Sequence, residues 1–119
     1  MIIFDEFDDR FEKNLFIDGF DVCISIDKPI TKSGLSTFGC FIDKTASDLL
    51  IKSVDYINQL KAENGIGYID DLSDPQIIGS EDTISVYWSS DKGEQNGESV
   101  IGVDFTVTDL TPYDLTIGD

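Results

Sequence analysis

The chain contains no histidine and only two cysteines among its 119 residues. Without histidine it has no Ser-His-Asp or Cys-His triad, no imidazole general base and no histidine-ligated zinc site. Cys23 and Cys40 form no C-x-x-C pair, and without an export signal they are expected to be reduced thiols. These absences predict a protein that is not an enzyme, has no catalytic residues and needs no metal or cofactor.

Long apolar runs are also missing from the sequence. No stretch approaches the roughly 20 apolar residues that span a membrane, so we expect no membrane partner. The residues that follow Met1–Phe4 are acidic, whereas a secretory signal has a basic start and an unbroken apolar run. The expected location is therefore the cytoplasm. With 40% hydrophobic residues, the chain predicts a single domain over residues 1–119.

Basic residues are scarce, above all in the second half of the chain. The sequence has 24 acidic and 8 basic residues, a formal net charge of −16. Residues 1–65 hold 12 acids and 7 bases, whereas residues 66–119 hold 12 acids and one base, Lys92. Such a field repels nucleic acid phosphates and speeds encounter with basic proteins. Solubility is the simpler interpretation, but it does not require so one-sided a distribution. We expect a monomer that binds a basic protein and no nucleic acid directly.

Helical periodicity occurs twice. Phe4, Phe7 and Phe11 have the i, i+3, i+7 spacing of one helical face, which predicts a short N-terminal helix. Its rings would pack on a sheet or, alternatively, dock in a partner groove. The clearest helix covers about residues 46–64, where apolar residues form a stripe, and Gly65 provides a left-handed cap. This main helix is expected to pack across one face of a sheet.

Alternation of apolar and polar residues predicts the strands, as two hairpins and one last strand. Asp18-Gly19 and Asn96-Gly97 are two-residue turn signals, since glycine readily takes the positive φ of a type I′ turn. A turn-rich connection is predicted for residues 68–82. The alternating segments are residues 13–27, 83–89 with 100–108, and 113–117, with a further short strand allowed at 38–42.

These segments predict an α+β fold with two layers. We expect an antiparallel sheet of about 5–6 strands, with the helix of residues 46–64 on one face and a short N-terminal helix. Asp21, Asp27, Tyr87 and Asp104 have the parity of the opposite face. That face should stay in contact with water unless a partner covers it.

Tyr87 and Trp88 are adjacent in a predicted strand, so their side chains point to opposite faces. The alternation places Trp88 inside with Ile84 and Val86, and it places Tyr87 outside among small hydroxyl residues. An exposed tyrosine ringed by hydroxyls and carboxylates is typical of an interface anchor. An ordinary strand residue has the same pattern.

The acidic residues of the second half are the candidate partner-binding residues. Its acid-rich loops do not match the EF-hand spacing with its distant bidentate glutamate, so a functional calcium site is not expected. The candidate partner-binding residues, with the tyrosine as anchor, are Asp70, Asp71, Asp74, Glu81, Asp82, Tyr87, Asp91, Glu94, Glu98 and Asp104.

The C-terminal strands and the helix before them resemble a known group of proteins. The residues that carry the resemblance are Val100-Ile101-Gly102-Val103-Asp104-Phe105 and Asp114-Leu115-Thr116-Ile117-Gly118, after the helix of residues 46–64. In this order they are similar to small bacterial immunity proteins of polymorphic-toxin and contact-dependent growth inhibition systems. The resemblance implies a small, acidic, cytoplasmic protein, encoded beside a toxin whose C-terminal domain is frequently a basic nuclease.

Charge, the missing chemistry and the resemblance together predict an immunity protein. It would bind a cognate basic toxin domain, a nuclease, and occlude the active or substrate-binding site. The alternative is a DNA mimic that inhibits nucleic-acid-binding proteins with an array of carboxylates spaced like a phosphate backbone. An immunity protein binds one partner, whereas a mimic binds many DNA-binding proteins. A structural subunit, a third class, would form a lasting oligomer.

Overall fold

The structure, a computed structural model, describes residues 2–64, 72–80, 83–94 and 97–118. Its strands form one seven-stranded sheet in which the spatial order of the strands is their order in the sequence. The elements are β1 (Asp5–Glu6), β2 (Arg10–Ile17), β3 (Phe20–Asp27), α1 (Lys32–Asn64), β4 (Ser73–Gly79), β5 (Thr83–Glu94), β6 (Gly97–Thr106) and β7 (Pro112–Gly118).

Neighbouring strands are antiparallel except at one seam. There β3 and β4 run parallel, with Cys23–Ile26 beside Gln76–Gly79, and α1 forms the long connection that a parallel pair requires. The seam joins two antiparallel meanders, β1–β2–β3 and β4–β5–β6–β7. The predicted α+β class is confirmed. The sheet differs from the expected one in detail, because it has seven strands and is mixed.

The β2–β3 hairpin forms as predicted. Asp18 and Gly19 have φ angles of 52° and 88°, which are typical of a type I′ turn. The turn sets Ile17 opposite Phe20 and Leu15 opposite Val22. This register places Leu15 and Ile17 on the same face of the sheet as Phe20 and Val22. Phe16 lies on the other face and is 74% exposed.

The predicted N-terminal helix is wrong, because this segment is extended. β1 pairs with β2, with Asp5 opposite Glu12. Phe4 stacks on Phe38 with 5.9 Å between ring centroids, whereas Phe7 is 44% exposed. A helix of two turns is marginal on its own, and the chain pairs with β2 at Asp5 and Glu6 instead.

The main helix is longer than predicted, since α1 begins at Lys32 and ends at Asn64. Thr31 caps it, because its Oγ1 accepts a hydrogen bond from the Gly34 N–H at 2.9 Å. The cap predicted at Gly65 lies outside the described residues.

Residues 38–42 are helical, and the strand allowed there does not form. Phe38 and Ile42 are both buried, as the strand pattern required. They are also four residues apart, so they share one face of a helix equally well. The exposed Cys40 between them is what distinguishes the helix from a strand buried on that side.

β4 lies within the segment of residues 68–82 that was predicted as a turn-rich connection, so that prediction is wrong for Ser73–Gly79. The second hairpin is confirmed and is longer than expected, because β5 continues to Glu94 and β6 begins at Gly97. Its predicted turn residue Asn96 lies outside the described residues. The predicted last strand is confirmed as β7.

The core lies between α1 and one face of the sheet. Trp88 is 1% exposed, and its Nε1 donates a hydrogen bond to the Ser53 Oγ at 2.8 Å. The Ser53 hydroxyl in turn donates to the Leu50 carbonyl oxygen at 2.8 Å. The buried apolar residues are Val22, Ile24, Ile26, Phe38, Ile42, Ala46, Leu49, Leu50, Ile57, Ile77, Ile84, Val86, Trp88, Ile101, Val103 and Phe105.

Candidate functional site

The second face of the sheet, which we call the open face, has no described helix packed on it. Along β3 and β5 its residues alternate with the core residues, as the period of two requires. The open-face residues of the central and C-terminal strands are Asp21, Cys23, Ser25 and Asp27 on β3, Gln76 and Ile78 on β4, Thr83, Ser85, Tyr87 and Ser89 on β5, Val100, Gly102, Asp104 and Thr106 on β6, and Asp114 and Thr116 on β7.

The acidic residues near β1 are balanced by bases. Arg10 pairs with Glu12 at 2.7 Å and with Asp9 at 2.8 Å, and Lys28 pairs with Glu6 at 2.6 Å. These pairs are partly exposed, and exposed ion pairs contribute little stability each. They nevertheless neutralise much of the charge at this edge of the sheet.

At the opposite edge of the open face, no ion pair between described residues involves an acidic side chain. Asp104 and Asp114 are directly opposite each other on β6 and β7, and like charges in that position destabilise a sheet. On its other side Asp104 faces Ser85, whose Oγ donates a hydrogen bond to the carboxylate at 2.5 Å. The free chain therefore keeps a repulsive pair on a face that a partner could cover.

Tyr87 lies on the open face, and Trp88 lies in the core, as the sequence parity predicted. The tyrosine is half-buried because its ring lies over Gly102, the residue opposite it on β6. A Cβ built on Gly102 would be 2.6 Å from the Tyr87 Cε1. The absence of a side chain at residue 102 thus makes room for the Tyr87 ring to lie over the backbone of β6.

A β-bulge in β4 places Asp74 next to this tyrosine. Ser73 pairs with Ser89 and Gln76 pairs with Tyr87, so Asp74 and Pro75 together lie opposite one residue of β5. Asp74 has a positive φ of 49°, and it is exposed while Pro75 is buried. Beside it is a recess of about 230 Å³, lined by Asp74, Gln76, Ile78, Tyr87, Trp88, Ser89 and Val100.

The structure brings together three of the predicted partner-binding residues, Asp74, Tyr87 and Asp104, on the open face or at its rim. Others are on the long arms of the second hairpin, which carry Asp91, Glu94 and Glu98. The predicted residues outside the described part of the chain are Asp70, Asp71, Glu81 and Asp82.

Sequence reasoning missed Asp114, Gln76 and Ile78. A predicted pairing of the last strand with β6 would have placed Asp114 opposite Asp104, on the same face of the sheet. Gln76 and Ile78 belong to a strand that the sequence did not reveal, so no signal pointed to them.

A larger cavity lies elsewhere, between the first turns of α1 and the carboxyl ends of β3 and β4. It has a volume of about 590 Å³ and a mainly apolar lining. The Thr37 and Ser80 hydroxyls at its wall donate to the backbone carbonyls of Ser33 and Thr83, and the Lys28 ammonium pairs with Glu6. A ligand or catalytic site needs convergent polar groups, so size alone does not make this cavity the functional site.

A small polar cluster joins β2 and β3 on the open face. Hydrogen bonds from the Arg10 guanidinium and the Cys23 thiol hold the pKa of Glu12 below its ordinary value. Burial, reinforced by the Glu12 carboxylate, raises the pKa of Cys23 to about 11. The thiol of Cys23 therefore stays protonated near neutral pH and is unreactive.

Alkylation should distinguish the two thiols. Cys40 is exposed on α1 and Cys23 is half-buried, and at pH 8 only about one Cys23 in a thousand is a thiolate. Iodoacetamide should therefore modify Cys40 at least about tenfold faster than Cys23 in the native protein. Intact mass and peptide mapping measure both rates, and labelling in guanidinium chloride is the control in which the rates converge. Equal rates in the native protein would contradict the shielding of Cys23.

Comparison with known proteins gives no relative: no family model, curated protein or solved structure matches the chain. Among the described residues, no group of three or more acidic or cysteine side chains is placed to hold a metal ion. Within the same residues, the helix is not apolar enough to cross a membrane.

Proposed function

We propose that the chain is an immunity protein that binds a cognate basic toxin domain, a nuclease, and blocks its active or substrate-binding site. One observation carries the proposal: the open face has no described element covering it, and it holds the opposed pair Asp104 and Asp114 at its β6–β7 edge. Departures from local stability rules are concentrated at functional sites. A cationic surface laid on this edge would convert the repulsion into attraction.

The mechanism is occlusion. A nuclease binds phosphates through lysine and arginine side chains, and carboxylates on the open face would pair with those same groups. The unbalanced charge of residues 66–119 would steer the partner during encounter. Tyr87, held on Gly102, offers a rigid aromatic surface at the centre of this region, and such residues dominate binding energy.

The experiment is recovery of the partner followed by an activity assay. The tagged chain would be incubated with nuclease-treated lysate of its source cell, washed at low and at high salt, and bound proteins identified by mass spectrometry. We expect one basic polypeptide to remain at high salt. When purified, that polypeptide should degrade RNA or DNA, and an equimolar amount of the chain should stop the degradation.

The same experiment distinguishes an immunity protein from the alternative, a DNA mimic. A DNA mimic would retain many DNA-binding proteins, all released by salt. If the retained polypeptide were active and the chain left its activity unchanged, the immunity proposal would be wrong.

A further inference from the structure

We infer that the recess beside Tyr87 is a binding site for one arginine side chain of the partner. This inference rests on the proposed function and adds the chemistry of the contact. The recess is formed by neighbouring strands and not by a loop, so its walls are held in place by the sheet.

The volume of the recess selects the kind of ligand. It is about 230 Å³, below the roughly 300–1,000 Å³ of pockets that bind whole small molecules. A single long side chain that enters from a protein surface is the better match. Ile78 and Val100 in the lining can pack against the methylene stem of such a side chain.

The polar lining selects a cation that can donate several hydrogen bonds. Asp74 contributes a carboxylate, Gln76 an amide oxygen and Ser89 a hydroxyl, all of which can accept hydrogen bonds. A guanidinium has five N–H donors in a planar fork, and it also stacks on aromatic rings. Tyr87 supplies the ring, which is why arginine fits this lining better than lysine.

The bulge is what places the carboxylate at the recess. Ser73 is on the open face, opposite Ser89. In a regular strand the next residue, Asp74, would therefore be on the core side, opposite Trp88. The extra residue instead puts Pro75 in the core and leaves Asp74 exposed. Bulges commonly redirect a side chain beside a functional site, and here the redirected side chain is the charged member of the lining.

The test is a titration of the isolated chain with capped arginine (N-acetyl-arginine methylamide), followed by amide resonances in ¹H–¹⁵N spectra at physiological salt. Capped lysine and capped citrulline are the comparison probes, since citrulline keeps the planar shape without the charge. We expect arginine to shift the amides of Gln76, Ile78 and Ser89 saturably. Lysine should bind at least about threefold more weakly, and citrulline should leave these amides in place.

Two variants test whether the amide shifts come from binding in the recess. Asp74→Asn removes the charge and keeps a residue that tolerates positive φ, so it should weaken arginine binding at least about threefold. The matched control, Asp21→Asn, removes the same charge from another exposed position on the open face and should change nothing. Tyr87→Leu should abolish the preference for arginine over lysine, which a residue of merely structural importance would not do.

Other results would overturn the inference. These are an absence of saturable shifts at the three amides, equal binding of lysine, shifts with citrulline, or equal weakening by Asp74→Asn and Asp21→Asn. The titration needs no partner, so it can fail or succeed independently of the search for a toxin. Arginine binding without any recovered nuclease would support the arginine site and contradict the proposed function.

Discussion

Association of the chain with its basic partner should slow at least about tenfold at low salt when Asp74, Asp104 and Asp114 are all replaced by asparagine. The expected effect is on the association rate, because steering acts before contact. Asparagine at residue 104 can still accept the hydrogen bond from Ser85, so the local geometry is kept. Stopped-flow or surface plasmon resonance at several salt concentrations measures the rate and its salt dependence, which should flatten.

A matched triple variant distinguishes the effect of the local electrostatic field on the association rate from the effect of the total net charge. Asp43, Asp48 and Asp55 are exposed on α1, and replacing them by asparagine removes the same total charge. We expect this control to slow association less than about threefold. Equal slowing by both triple variants would show that only the net charge matters, and an unchanged rate in both would remove the electrostatic basis of the proposal.

Loss of the Trp88 side chain should produce the largest change in stability. Trp88→Ala removes a fully buried ring that also packs edge-on against Phe20, with 5.1 Å between ring centroids. Truncations of this kind lower the free energy of unfolding by about 3–5 kcal/mol. Urea denaturation followed by circular dichroism measures the change. Phe16→Ala, at a 74% exposed aromatic residue, is the control and should change stability by less than about 0.5 kcal/mol.

The hydrogen bond between Trp88 and Ser53 can be measured within the same experiment. Ser53→Ala leaves the buried indole N–H without its acceptor and should cost about 1–3 kcal/mol. Trp88→Phe removes the donor and leaves a smaller ring. In the double variant the serine substitution should cost less than it does alone, because no N–H remains to be satisfied. Additive costs would show that the hydrogen bond contributes nothing to folding.

The sequence predicted elements whose signal is local. In the β2–β3 hairpin, β3 has a strict period of two, and the turn, Asp18-Gly19, accepts only a few residue types. The parity of Tyr87 and Trp88 followed from the same period. Both predictions are confirmed because one face of these strands is buried and the other is not, so a register error would exchange the two.

The start of α1 was missed because its sequence pattern fits both a helix and a strand. The first turns of α1 contain Gly34 and Gly39, which are weak helix formers. The helix there is favoured by packing of Phe38 and Ile42 in the core and of Phe4 against Phe38. A Cβ on Gly39 would be 3.2 Å from the Phe4 Cε2, so the glycine gives the Phe4 ring room to approach the helix closely. Such a tertiary contact cannot be read from local periodicity.

β4 and the recess were missed for a related reason. The segment contains Pro75, and proline is rare inside strands. The bulge also breaks the alternation that would have revealed the strand. The position of Asp74 depends on that bulge and on the pairing of β4 with β5, which the sequence does not specify. The acidic character of the region was therefore predictable, whereas the geometry of the recess was not.

The parallel seam has a consequence for how the chain folds. Within each meander, strands pair with their sequence neighbours, so their contacts close short loops. The seam instead brings Ile24 beside Ile77, and the entropy of closing that long connection is lost before its contacts form. We expect the meanders to form first and the seam to close last. Until then the edges of β3 and β4 are unpaired templates for other chains, and the net charge of −16 keeps newly made copies apart during that interval.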